Sequence, residues 1–218
     1  MQPTLTGPRV LLRPWGPDDV DAVTAACQDP EVQRWTQVPV PYRREDAEAF
    51  VGEIAPQTAA DGGALFAVVD RDSQELVCSI GLFPPTDGFG EIGYWTVAAS
   101  RRRGLTAEAL EVLCRWAFGH LGLHRLELHV DPENTGSRRV AERAGFLAEG
   151  VVRQRFLHRG RSPFHSVSTM RSVLTTPGLS AARTASSRRS LAPGTATGSP
   201  VSRRTSSGPR TAMRILRS

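Results

Sequence analysis

The sequence predicts an α+β fold, with a mixed, mostly antiparallel central sheet and helices on both faces. Three observations lead there. Apolar residues recur at helical spacing through much of the first 55 residues. Two apolar, β-branched runs, 65–69 and 76–82, then flank the polar turn Asp70-Arg71-Asp72-Ser73. From Ile92 onward strand and helix patterns alternate and close on a pair of strands.

Taken in order, residues 9–13 set Val10, Leu11 and Leu12 between arginines and predict a first strand. Gly16, Pro17, Asp18 and Asp19 then cap a helix carrying Val20, Val23 and Ala26. Proline suits the first turn, where its missing N–H has no partner to lose, and acids favour the positive end. A short second helix covers 31–35. Residues 38–42 are extended, because Pro39 and Pro41 exclude helix there. Residues 44–55 predict a helix with Ala47, Phe50, Val51 and Ile54 on a common face, stopped by Pro56.

The runs 65–69 and 76–82 pair as an antiparallel hairpin, and 84–90 is a loop. Residues 92–97 are apolar, aromatic and β-branched, hence a strand. A helix follows from Leu105, with Ala109, Leu110, Leu113 and Ala117 on the same face. After Gly122, residues 124–130 make another strand. Asn134 caps a helix that runs through Ala144 to a stop at Gly145. Strands at 151–157 and 164–170 complete the sheet.

Charge divides the chain in two. Of its 27 basic residues, all arginine, eight lie in 176–218, which has no acid; residues 1–175 keep 19 against 22 acids. The body is therefore slightly acidic, and the basic balance of the whole chain does not mark the folded part as a nucleic-acid binder. Residues 1–174 read as one domain and 175–218 as a basic, low-complexity tail. Rich in Ser, Thr, Gly, Pro, Ala and Arg, the tail has too little apolar surface to offset its ordering entropy and is expected to be disordered. Cys27, Cys78 and Cys114 are odd in number and far apart. They suggest neither a disulfide framework nor a metal site, and point to a reducing cytoplasm. His120 and His124 stand four apart, but Gly119 and Gly122 interrupt the helix, so no metal is expected. No signal-type run or membrane-length span is present. Monomer and homodimer both stay open.

Between the strand 92–97 and the helix at Leu105 lies the basic turn Arg101-Arg102-Arg103-Gly104-Leu105-Thr106. A helix N-terminus offers unpaired N–H groups and a positive partial charge, a geometry that suits phosphate. A solvated arginine cluster ahead of an ordinary helix is the competing reading. The turn resembles the Q/R-x-x-G-x-G/A turn of GNAT acyltransferases, with Thr106 in place of the last small residue. A second segment, Asn134-Thr135-Gly136-Ser137-Arg138-Arg139-Val140-Ala141-Glu142-Arg143-Ala144-Gly145-Phe146 followed by Glu149-Gly150, resembles the branch that acetylates ribosomal-protein N-termini. Leu11-Leu12-Arg13-Pro14, Trp35, Ile92-Gly93-Tyr94-Trp95 and Arg153 fall in the order of that branch, so the resemblance spans roughly residues 8–172.

The resemblance implies the GNAT fold, acetyl-CoA as co-substrate, and transfer of acetyl to a primary amine, either a protein N-terminus or a small molecule. It implies that the strands ending near Val97 and Val130 splay apart, with Thr96 and Val97 pairing to the pantetheine arm. Arg101, Arg102, Arg103, Gly104, Leu105 and Thr106 would hold the pyrophosphate, and Asn134 would contact the cofactor, although on sequence alone a simple N-cap, compatible with that contact, is the stronger reading. Ser137 falls where this branch places a hydroxyl near the coenzyme A sulfur and is the candidate acid, against the plainer role of satisfying helix backbone. Glu91 is the candidate base. His129 is a weaker one, a strand histidine being more often packed. Phe156 stands where some relatives carry a glutamate. Cys78 replaces a frequent glycine, and Ala98-Ala99 a proline-containing lead into the turn. Two other functions stay open: coenzyme A binding without turnover, and nucleic-acid association through the tail.

Overall fold

The computed structural model describes residues 2–156 and 165–173, which fall within one compact unit. The expected tail 175–218 and the strand ends at Leu157 and Phe164 lie outside the described residues. Eight strands form one sheet: β1 (Leu5–Thr6), β2 (Val10–Pro14), β3 (Ala64–Asp70), β4 (Leu76–Leu82), β5 (Phe89–Thr96), β6 (Arg125–Val130), β7 (Leu147–Phe156) and β8 (His165–Val173). Their order is β1-β2-β3-β4-β5-β6-β8-β7. Only β5 and β6 run parallel; every other neighbouring pair is antiparallel.

Alternation along each strand divides the core between two faces. Phe66, Ile80, Ile92, Leu126 and Leu128 meet the apolar stripe of α5 (Leu105–Leu121) and part of α6 (Thr135–Arg143). Leu65, Phe83 and Trp95, one residue out of step, meet α1 (Val20–Cys27), α2 (Pro30–Trp35) and α3 (Arg44–Ala49) on the other face. The expected α+β sheet with helices on both sides is thus observed.

Three details depart from expectation. Pro56 does not stop the helix at 44–55. A π-helical turn (Phe50–Ile54) follows α3, and α4 (Ala55–Ala60) continues beyond it. The Ala55 N–H donates to Phe50 O, five residues back. The widened turn puts Pro56 in the first turn of a new segment, where its missing N–H costs little. β8 enters between β6 and β7, so the last strand in sequence is internal to the sheet. The short β1, paired with β2 through Leu5↔Leu12, was not anticipated.

The seam between β5 and β6 matters most for function. Its pairing runs from Phe89↔Arg125 to Ile92↔Leu128 and stops there. Beyond it β5 stays on β4 through Gly81↔Gly93, Ser79↔Trp95 and Cys78↔Thr96, while β6 stays on β8 through His129↔Thr169 and Val130↔Ser168. The two strands part, as the resemblance implied.

Candidate active site

Beside the parted strands lies a cleft of about 740 Å³, walled by the end of β5, the turn at 101–106, the first turn of α5, α6 from Thr135 to Arg143, and α2. Glu91 O accepts from Phe83 N–H, and the Val97 N–H donates to Val77 O at 2.9 Å. In an antiparallel pair the residues turned toward the neighbour alternate. Residues 91, 93, 95 and 97 therefore face β4, and Tyr94 and Thr96 direct their backbone groups into the gap. Val97, expected beside Thr96, is already committed. Its N–H goes to Val77 and its carbonyl accepts from Ser100 N–H. The backbone alternation turns Tyr94, not Val97, toward the gap beside Thr96.

Gly104 opens α5 with φ 79°, a left-handed conformation that glycine adopts without strain. The preceding Arg102 also has positive φ, 64°, which folds the turn back over the helix start. Leu105 is buried in the core, so only its backbone is at the turn. Thr106, which stands where a smaller residue was expected, turns its hydroxyl away to Thr96 Oγ1 at 3.0 Å. A methyl and hydroxyl are thereby accommodated without filling the space before the N–H groups.

The three arginines of the turn are not equivalent. Arg101 bridges Asp29, the N-cap of α2, at 3.1 Å and donates to Thr96 O at 3.3 Å. Burial raises the pKa of the Asp29 carboxyl, but Arg101 and the N–H groups of Glu31 and Val32 outweigh it, leaving it below the usual range. Arg103 pairs with Asp70 at 2.8 Å. The N–H groups of Asp72 and Ser73, with Arg103, hold that carboxyl low against an opposing desolvation. Arg102 alone is exposed and without an acid partner among the described residues. Two of the three charges that marked the turn in sequence therefore tie it to the scaffold.

Opposite the turn, Asn134 caps α6 by accepting from Ser137 N–H at 2.9 Å, the plainer of its two expected roles, and also lines the cleft. Ser137 is buried where it lines the cleft, with its Oγ 2.9 Å from Tyr94 Oη, which also donates to Ser137 O at 3.0 Å. Burial pushes the Tyr94 hydroxyl far above its ordinary pKa, with Ser137 pulling slightly the other way, so it stays protonated. Tyr94 was legible only as part of a motif.

Glu91 is buried, in register with Glu127 where the seam is closed, and does not line the cleft. His129, also buried, does not line it either. Cys78 is buried beside Thr106, its thiol pushed up to about 12 by desolvation. Among the described residues no three His, Cys, Asp or Glu side chains cluster as a metal site would require, and no helix is long and apolar enough to cross a membrane.

A profile of the Acetyltransferase (GNAT) domain matches residues 9–147. The chain belongs to the GNAT family. As a member it is an acetyl-CoA-dependent N-acyltransferase, as many relatives are named. The uncharacterized N-acetyltransferase YoaA of Bacillus subtilis is 28% identical over 166 residues, 75% of this chain and 93% of the relative. The ribosomal-protein-serine acetyltransferase of Escherichia coli is 29% identical over 90 residues, 41% of this chain and 50% of that protein. Mycobacterium smegmatis RimJ, solved in complex with CoA-disulfide, superposes with a TM-score of 0.69 at 22% identity, covering 78% of this chain and 86% of that one.

Proposed function

We propose that this GNAT enzyme acetylates a primary amine, foremost the α-amine of a protein N-terminus of the ribosomal-protein kind, with a small-molecule amine as the other acceptor class. The observation that carries the reading is the junction of three parts: an open strand seam, an arginine-flanked helix start at one end, and a paired Ser–Tyr hydroxyl lining the cleft. Acetyl-CoA supplies an activated acyl carbon and a thiolate leaving group.

In this reading the backbone groups of Tyr94 and Thr96 that face the gap pair with the amides of the pantetheine arm. The N–H groups at Gly104, Leu105 and Thr106, with the Arg102 side chain, take the pyrophosphate. Ser137 holds the proton that the departing sulfur receives. Tyr94 has one proton to share between Ser137 O and Ser137 Oγ; directed to Oγ, it leaves the serine hydrogen free to point into the cleft. The amine nitrogen bonds to the acyl carbon, the carbon–sulfur bond breaks, and the amine's surplus proton leaves to solvent, from which Ser137 regains the proton it gave to sulfur. Glu91 lies outside the cleft lining and is not assigned that last step.

With no residue assigned as base, this reading favours acceptors that are already neutral. About one α-amine in ten is neutral at pH 7, against roughly one lysine side chain in 2,500. The names of relatives such as the Escherichia coli ribosomal-protein-serine acetyltransferase point the same way. A cytoplasmic location fits both acetyl-CoA and three buried free thiols. The test compares a peptide with a free N-terminus and blocked lysine against its counterpart with acetylated N-terminus and free lysine, following coenzyme A release at pH 7. The first should show the higher kcat/KM; the reverse order would end the N-terminal assignment.

A further inference from the structure

With two of its arginines tied to Asp29 and Asp70, the turn is short of mobile positive charge for a ligand with several phosphates. α6 supplies more. Arg139 and Arg143, four apart on one helix face, both line the cleft, and neither has an acid partner among the described residues. A Cβ built on Gly104 would meet Arg143 Nη1 at 3.5 Å and Arg9 Nη2 at 3.8 Å, so two guanidinium groups stand over the bare face of the turn. Arg9 is neutralised by Glu108, which accepts from its N–H at 2.6 Å and its Nε at 2.8 Å. Arg143 is not neutralised.

Gly104, Ala107 and Arg143 also line a second hollow of about 550 Å³, together with Arg9, Arg103 and Arg115 and the acids Glu108 and Glu111. Arg143 thus lines both the cleft and a second hollow in which arginines outnumber acids four to two. Glu108 answers Arg9 and Asp70 answers Arg103, whereas Arg143 has no acid partner among the described residues, and an incoming phosphate would supply one. A phosphomonoester carries nearly two charges at pH 7 and offers three acceptor oxygens, more than a phosphodiester of the same cofactor.

We infer that Arg143 selects the 3′-phosphorylated cofactor, drawing the ribose 3′-phosphate of coenzyme A to this second hollow while the turn itself holds the pyrophosphate. The inference rests on the cleft being the cofactor site. It makes the second hollow a specificity pocket and separates two phosphate jobs: Arg102 and the turn backbone for the pyrophosphate, Arg143 for the monoester.

The test measures binding of coenzyme A and 3′-dephospho-coenzyme A to the full chain by calorimetry. Wild type should bind coenzyme A about tenfold more tightly, the scale of one charge-assisted hydrogen bond at a partly exposed site. Arg143→Ala and Arg143→Gln should each erase that preference by weakening coenzyme A alone, whereas Arg102→Ala should weaken both ligands alike. Equal affinity in the wild type overturns the inference. So does a preference that survives both Arg143 substitutions, or an Arg143 variant that weakens both ligands equally, which would reassign it to the pyrophosphate. A lower melting temperature with unchanged binding would reduce Arg143 to a cation at the C-terminus of α6. Binding of neither ligand by wild type would instead remove the cleft as the cofactor site, a failure of a different kind.

Discussion

The two ends of the cleft are built by different means. At the turn the wall is shaped by backbone: a left-handed Gly104, a helix start, and two arginines fastened to Asp29 and Asp70. At the α2 end it is shaped by side chains. Glu31 accepts from Trp35 Nε1 at 2.9 Å, and Arg34 lies over the Trp35 ring at 4.4 Å. Backbone geometry tolerates little change and suits a ligand that never varies. Exposed side chains can be exchanged without disturbing the sheet, which suits an acceptor that differs between relatives.

The sharpest way to break this contrast is at Gly104. Gly104→Asp adds a carboxylate and an unfavourable left-handed conformation where phosphate approaches, and should weaken coenzyme A binding by at least about a hundredfold. Calorimetry on a variant with wild-type circular dichroism measures this, and unchanged affinity would take the turn out of the site. Next comes Ser137→Ala. It should lower kcat by about ten- to a hundredfold while the cofactor Kd moves less than about threefold, as for an interaction made mainly in the transition state. Wild-type kcat would end its role as acid.

A smaller effect tests whether the two ends communicate. Arg101 and Asp29 join the turn to the N-cap of α2, so Asp29→Asn should raise the acceptor KM by about three- to fivefold and leave cofactor affinity nearly unchanged. The sign with pH is fixed. The Asp29 carboxyl titrates below its ordinary value, so its contribution to stability is complete above about pH 4 and is lost as the pH falls through the lowered value. Acid titration of the melting temperature should show this low-pH loss in wild type and a smaller one in Asp29→Asn.

Much of the fold was legible because periodicity, caps and breakers act locally. Asn134 and Gly145 bound α6 where the sequence placed them, and Gly104 and Gly122 bound α5. The parting of β5 and β6 came from the family resemblance rather than from any pattern. What stayed hidden depends on distant segments meeting. Nothing near Ser137 announces that Tyr94, 43 positions earlier, holds its hydroxyl, nor that Asp70, 33 positions before Arg103, takes its charge. Val97 illustrates the limit within a single strand. Which alternate residues face the gap depends on register with β4, and a one-residue change of register reverses the assignment. Pro56 misled because a wide turn absorbed it.

The seam also has a consequence for how the sheet moves. β5 and β6 are joined along a short paired run, Phe89 to Ile92, so the β6-β8-β7 half is fastened to the rest of the sheet at one end only. Such an arrangement behaves as a hinge whose free edges are the ligand's to close. Amide exchange should register it: Ile92 slow at all times, Tyr94 and Thr96 fast in the empty protein and slowed when coenzyme A bridges the gap. Bound cofactor would then serve as the missing rung of the ladder, and the protein's stiffness would rise and fall with each turnover.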